Sequence, residues 1–189
     1  VPTPPNTLDQ EPIHPGAVVV AEDVWGEAFG DLATRYGIEL QPDLWQDRDA
    51  LGDAVRGARA LVVRNRTAVD RTLLEHATRL EVVARAGVGL DNIDVAAADE
   101  LGIVVVAPLG ANARSVAEHS LALALALARD VVGNDRRVRD GRWDRQLGIE
   151  LSGRTWGIVG LGATGRALAS LVGALGLACV GLDPASPRD

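Results

Sequence analysis

Between Ala17 and Ala107 the chain repeats one pattern: a short run of β-branched residues, a longer amphipathic stretch, then another short run. Strands separated by helices pair in parallel, and the helices must then cover the sheet, so few architectures remain. The strand candidates are AVVVA (17–21), a weaker GIEL (37–40), ALVV (60–63), LEVVAR (80–85) and GIVVVA (102–107). Helices are predicted over 25–36, 49–57, 70–78 and 94–101, with Asp70 and Asp94 placed as N-caps. Together these pieces predict a complete small doubly wound α/β domain.

Beyond Pro108 and Gly110 the pattern changes to one long helix over 115–140. Ser115 and Glu118 have the spacing of a capping box at its start. Its middle, LALALALA (121–128), is apolar nearly all round and is expected to be buried by packing on more than one side, at a domain junction or a dimer interface. That run is far shorter than the roughly 18 apolar residues of a membrane span. A connector over 141–153 leads to a new strand, TWGIVGL, which begins a second domain.

Composition narrows the partners. The net charge is -7, and all 19 basic side chains are arginine, with no stretch gathering them free of acids. A nucleic-acid backbone is therefore not the expected ligand. The single cysteine, Cys179, lies in an apolar run and is expected to be a small buried hydrophobe in a reducing compartment. Residues 1–16 carry five prolines and no apolar core, which reads as a disordered leader and not a signal peptide. Because the chain contains no methionine, Val1 is not a translational start, and at least one end is expected to be trimmed.

The strongest chemical signal is GLGATG at 160–165, where Gly160, Gly162 and Gly165 form G-x-G-x-x-G after one strand and at the mouth of a helix. The first glycine permits the turn, the second lets backbone approach a pyrophosphate, and the third brings helix close to strand. A second strand, LACVGL, follows and ends at Asp183, close to the spacing of the acid that binds the adenosine ribose. A carboxylate there would repel a 2′-phosphate, so NAD is expected over NADP, with Arg188 nearby as the residue that could weaken the preference.

Residues 82–129, VVARAGVGLDNIDVAAADELGIVVVAPLGANARSVAEHSLALALALAR, followed by DGRWDRQLGIELSGRTWGIVGLGATGR at 140–166, closely resemble the D-isomer-specific 2-hydroxyacid dehydrogenases, and within them the D-3-phosphoglycerate dehydrogenases. The resemblance runs from about Val18 to Pro184. It also takes in LVVRNRT (61–67), with Asn65 where that subfamily commonly has serine. It implies a flavodoxin-like substrate domain followed by the first part of a Rossmann NAD-binding domain: leader 1–16, substrate domain 17–110, NAD domain 111–189 and incomplete. It implies a homodimer through the helix near 115–140 and a place in serine biosynthesis, while the lone cysteine fits a reducing cytoplasm.

Carried over residue by residue, Gly87, Val88 and Gly89 match the loop whose N–H groups hold the substrate carboxylate, and Val88 also lies where the nicotinamide passes. Such a nest of amides suits an anion. Arg64 and Asn65 match the substrate side. Ala163 and Thr164 match the pair whose backbone meets the pyrophosphate, although the family usually has larger side chains there. Ala107 stands where asparagine is common.

Hydride transfer at a 2-hydroxy acid needs a base, a carboxylate to orient it and a cation on the carbonyl oxygen. The family's histidine, glutamate and arginine match nothing in residues 1–189, so no catalytic residue is assigned. His14 lies in the leader, His76 stands beside Glu75 on a helix, and His119 matches a family histidine that is not the base and is given a structural role. No metal site is expected. The resulting expectation is an NAD-dependent oxidoreductase taking 3-phosphoglycerate to 3-phosphohydroxypyruvate, inactive as residues 1–189 alone. Two alternatives are a glyoxylate or hydroxypyruvate reductase and a non-catalytic NAD-sensing or dimerising protein of the same fold. Arg64 and Arg66 favour a substrate with a second negative group.

Overall fold

The computed structural model describes residues 17–36, 38 and 40–185, with the side chains of 27 and 28 outside the description. The expected leader, His14 and Arg188 lie outside the described residues. The described residues form two compact units that divide between Leu109 and Gly110.

In the first unit, β1 (Val18–Val20), β2 (Ala60–Val63), β3 (Val82–Arg85) and β4 (Val104–Val106) form a four-stranded parallel sheet in the order β1-β2-β3-β4. The register sets Val20 beside Val62, Val62 beside Ala84, and Ala84 beside Val106, so the carboxyl ends of the strands lie level. Helices α1 (Glu27–Tyr36), α2 (Arg48–Val55), α3 (Arg71–His76) and α4 (Val95–Glu100) alternate with them. Of the GIEL candidate, Leu40 pairs in parallel with Val20, and Gly37 and Glu39 lie outside the described residues.

Period-2 alternation sends Leu61, Val63 and Val83 into one cluster with Leu51 and Val55 of α2, Leu73 and Leu74 of α3, and Ala97 and Ala98 of α4. The helices start where short acidic side chains can satisfy their first N–H groups. Asp70 accepts from Leu73 N at 2.9 Å, Asp94 from Ala97 N at 2.9 Å, and Asp47 from Asp49 N and Ala50 N.

In the second unit the predicted long helix is two helices, α5 (Ala113–Ala128) and α6 (Val131–Arg139). Asp130 breaks it, with φ 47° in the left-handed region. A short acidic side chain tolerates that conformation when bonded locally, and Asp130 is paired with Arg137. The capping box at Ser115 and Glu118 is also corrected. The helix begins earlier, after Asn112, which makes no side-chain cap, and Glu118 pairs instead with Arg114 one turn back.

Strands β5 (Thr155–Val159) and β6 (Ala178–Leu182) form a parallel pair joined by α7 (Ala163–Ala174). The core of this unit joins Ile158, Leu168, Val172 and Leu177 to Ala117 and Leu121 of α5. Within one chain α5 packs on one side only, and Leu123 is 58% exposed and Leu127 84%. Cys179 is likewise exposed on β6, with Val180 and Leu182 beside it, and not a buried hydrophobe. No described helix is long and apolar enough to cross a membrane.

Candidate functional site

Two sites take shape, one in each unit. In the first, the carboxyl end of the parallel sheet brings together segments far apart in sequence, which is where open α/β sheets bind ligands. Glu22 follows β1, Arg64 and Asn65 follow β2, and Gly87, Val88 and Gly89 follow β3.

Glu22 is 3% exposed. Its carboxylate accepts from the N–H groups of Arg64 (2.8 Å), Asn65 (3.0 Å), Arg66 (2.9 Å) and Thr67 (2.9 Å), and from the Thr67 hydroxyl (2.8 Å). Burial alone would raise its pKa, but this set of donors outweighs desolvation and holds it at about 2. The turn 64–67 is thus folded around an internal anion.

That turn is tied onward. Asn92 Nδ2 donates to Thr67 O at 2.8 Å, while Asn92 Oδ1 accepts from Arg85 Nε at 3.0 Å. Arg85, 9% exposed, runs beneath the glycine loop, where a Cβ on Gly87 would lie 2.8 Å from its Nη1. Among the described residues, no group accepts from the N–H of Gly87, Val88 or Gly89. The loop therefore offers three amides.

On the outer side, Arg64 lies over Trp25, 3.8 Å from the ring centroid, and Arg66 over Trp45 at 4.9 Å. Glu22, Asp23, Trp45, Arg64, Asn65 and Arg66 line a cleft of about 250 Å³. Val24, Trp25, Arg64 and Ala86 line another of about 200 Å³, so Arg64 borders both. Among the described residues neither Arg64 nor Arg66 makes an ion pair. Stacking on an aromatic face orients a guanidinium while leaving its in-plane donors open.

The second site is the β5–α7 turn. Gly160 has φ +94°, a conformation that favours glycine. Gly165 is buried where a Cβ would overlap the Gly160 carbonyl oxygen, so α7 can lie this close to β5 only with glycine there. Gly162 precedes α7 with no side-chain cap, and a Cβ on it would meet nothing within 4 Å. Ala163 and Thr164 open the helix, whose first N–H groups have no partner within it. At the end of β6, Asp183 Oδ2 accepts from Leu161 N at 2.6 Å and Oδ1 from Ala185 N at 2.9 Å. These two backbone bonds hold its pKa below the usual carboxylate range. Each oxygen keeps further acceptor capacity. The residues present suit a dinucleotide: open space over Gly162 for a pyrophosphate, and an ionised acid for ribose hydroxyls.

Sequence reasoning missed Glu22, Trp25, Trp45, Arg85 and Asn92. The available signals were charges closing buried strands, an acid after AVVVA and an arginine ending LEVVAR. His76 and His119 are exposed, and among the described residues no three metal-ligating side chains cluster.

The sequence profile of the D-isomer specific 2-hydroxyacid dehydrogenase catalytic domain matches residues 18–183. The chain is 42% identical over 169 residues to a D-3-phosphoglycerate dehydrogenase of Archaeoglobus fulgidus, covering 88% of this chain and 32% of that one. It is 41% identical over 174 residues to an (S)-sulfolactate dehydrogenase of Chromohalobacter salexigens, covering 91% and 56%. A crystal structure of a Thermus thermophilus protein superposes with a TM-score of 0.80 at 34% identity, covering 90% of this chain and 57% of that one. The chain therefore spans between 32% and 57% of the length of these relatives.

Proposed function

The chain belongs to the D-isomer-specific 2-hydroxyacid dehydrogenase family, and from that premise we propose that it supplies the substrate side and the first part of the nucleotide side of an NAD-dependent enzyme. The reaction is oxidation of a D-2-hydroxy acid to the 2-oxo acid, with 3-phospho-D-glycerate going to 3-phosphohydroxypyruvate as the preferred case. Residues 17–110 act as the substrate domain, and residues from 111 onward begin the NAD domain.

Substrate oxidation removes a hydride from C2 and a proton from the hydroxyl; NAD, when bound, accepts the hydride. The three unpartnered amides of Gly87, Val88 and Gly89 would hold the substrate carboxylate, with Val88 facing the nicotinamide. Arg64, Asn65 and Arg66 would receive a second anionic group. Gly160, Gly162, Ala163, Thr164 and Gly165 would cradle the pyrophosphate, and Asp183 would accept from the adenosine ribose hydroxyls. No residue of this chain is assigned as the base.

The observation that carries the reading is Asp183, which closes β6 directly behind the glycine turn and bonds to Leu161 within it. The phosphate preference rests on the two tryptophan-backed arginines, and both named relatives act on hydroxy acids with a second acidic group. The exposed leucines of α5 support a homodimer through 115–140, and a small-molecule NAD reaction suits the cytoplasm.

The test is hydride transfer to NAD by residues 1–189 extended through a complete nucleotide domain, against a panel of 2-hydroxy acids. Turnover highest on 3-phospho-D-glycerate supports the proposal. Preference for glyoxylate or hydroxypyruvate in the reductive direction would reassign the substrate, and NAD binding without turnover on any acid would favour a sensor.

A further inference from the structure

We propose that Glu22 is a positioning residue for anion recognition: its buried carboxylate fixes the Arg64–Thr67 turn so that Arg64 and Arg66 face one anionic group together. This rests on the reading above that the cleft receives a charged substrate. The geometry begins with how many donors one side chain collects. Four consecutive N–H groups and one hydroxyl converge on two oxygens, the Arg64 and Thr67 amides and the Thr67 hydroxyl on Oε1, the Asn65 and Arg66 amides on Oε2. Such a concave run of amides is itself an anion site. Here the protein fills it with its own carboxylate, and Glu22 therefore cannot be neutralised by substitution without leaving donors unpaired.

The consequence falls on the side chains of the turn. With their backbone N–H groups fixed inward, Arg64 and Arg66 lie on separate tryptophans, and Arg66 shares the larger cleft with Arg64 and Asn65. Neither guanidinium is neutralised by an acid among the described residues, although Asp23 borders the same cleft and sets two cations against one exposed carboxylate. The Glu22 charge is already compensated by its five donors and does not repel a ligand as a bare carboxylate would. Two oriented, unpaired guanidiniums suit a phosphate or sulfonate better than a neutral group. Thr67 and Asn92 carry the constraint on to Arg85 below the glycine loop, so the anion end and the carboxylate end share one frame.

The experiment titrates the 189-residue chain with inorganic phosphate, 3-phospho-D-glycerate and D-lactate, following heat or tryptophan emission. The variants are Glu22→Gln, Glu22→Asp and Leu74→Ala. Leu74 is 2% exposed in the core, away from both clefts, and its truncation is a control for stability loss alone. The wild type is expected to bind 3-phospho-D-glycerate more tightly than D-lactate. Glu22→Gln should raise Kd for the phosphate-bearing ligands tenfold or more, Glu22→Asp should recover part of that loss, and Leu74→Ala should leave Kd unchanged below its own unfolding temperature. If Glu22→Gln does not fold, Glu22→Asp still decides the matter, with a weakening of at least threefold expected.

Wild-type affinity in a folded Glu22 variant would overturn the proposal, as would an equal loss in Leu74→Ala or no saturable phosphate binding by the wild type. Failure of the extended enzyme to transfer hydride would instead end the dehydrogenase reading and leave these affinities standing.

Discussion

Lowering the pH should remove the stabilisation that Glu22 gives the first unit, in a window set by its two titrations. Folded, its donors hold the carboxyl at about 2 against an ordinary value of 4.5. One pKa unit corresponds to about 1.4 kcal/mol, so the ionised side chain contributes on the order of 3 kcal/mol. The sign follows from proton binding. Between the two values the unfolded chain binds the proton and the folded chain does not. The contribution is therefore complete above about pH 5, declines as pH falls, and is gone near pH 2.

Urea unfolding of the wild type and Glu22→Gln from pH 7 to pH 2 measures it. A background with Trp143→Phe and Trp156→Phe leaves Trp25 and Trp45, both in the first unit, as reporters. At pH 7 the glutamine variant should be less stable by about 2–4 kcal/mol, because an amide cannot accept from all five donors. The difference should shrink by about 3 kcal/mol as the pH is lowered through the window. Other carboxylates, including exposed Glu81 paired with Arg59, titrate in both proteins and cancel. Parallel pH profiles for the two proteins would refute the reasoning, since Glu22 would then be no better solvated by its donors than by water.

Gly165→Ala forces Cβ onto the Gly160 carbonyl oxygen, so α7 must shift from β5. This should cost about 1–3 kcal/mol of stability and abolish NAD binding, measured by thermal shift and titration. Gly162→Val meets open space in the chain and should keep its thermal stability while losing nucleotide affinity; unchanged affinity in both would remove the site. Asp183→Ala in the extended enzyme should narrow the NAD over NADP preference at least tenfold in kcat/KM, and an unchanged ratio would count against its role. Leu74→Ala should destabilise the chain by about 2–5 kcal/mol in denaturant, and a loss below about 1 kcal/mol would mean that the site collapses around the deletion.

The sheet was legible because its signal is local: ALVV is β2 to the residue, and Asp70 and Asp94 cap the helices they precede. The glycine turn and Asp183 were legible for the same reason, since a strand, a turn and a helix lie within one short segment. What failed depended on surroundings. Helical periodicity continues through Asp130, whose left-handed backbone and pairing with Arg137 divide α5 from α6. Cys179 sits in an apolar run, yet strand burial depends on what packs over each face, and β6 is exposed throughout. Glu22 was missed because an acid after a buried strand looks like a strand end; its five donors come from a turn beyond an entire strand–helix crossover.

That separation also orders events in time. The Arg64–Thr67 turn cannot take its shape from neighbouring residues, because the acceptor for its amides arrives only when β1 lies against β2, and parallel pairing requires closing the long intervening loop. Binding competence is thus acquired with the sheet and not before it. A collapsed intermediate with α2 and α3 formed but β1 unpaired would carry both arginines and still lack the clamp, so recovery of phosphate affinity during refolding should coincide with the slow, topology-limited phase.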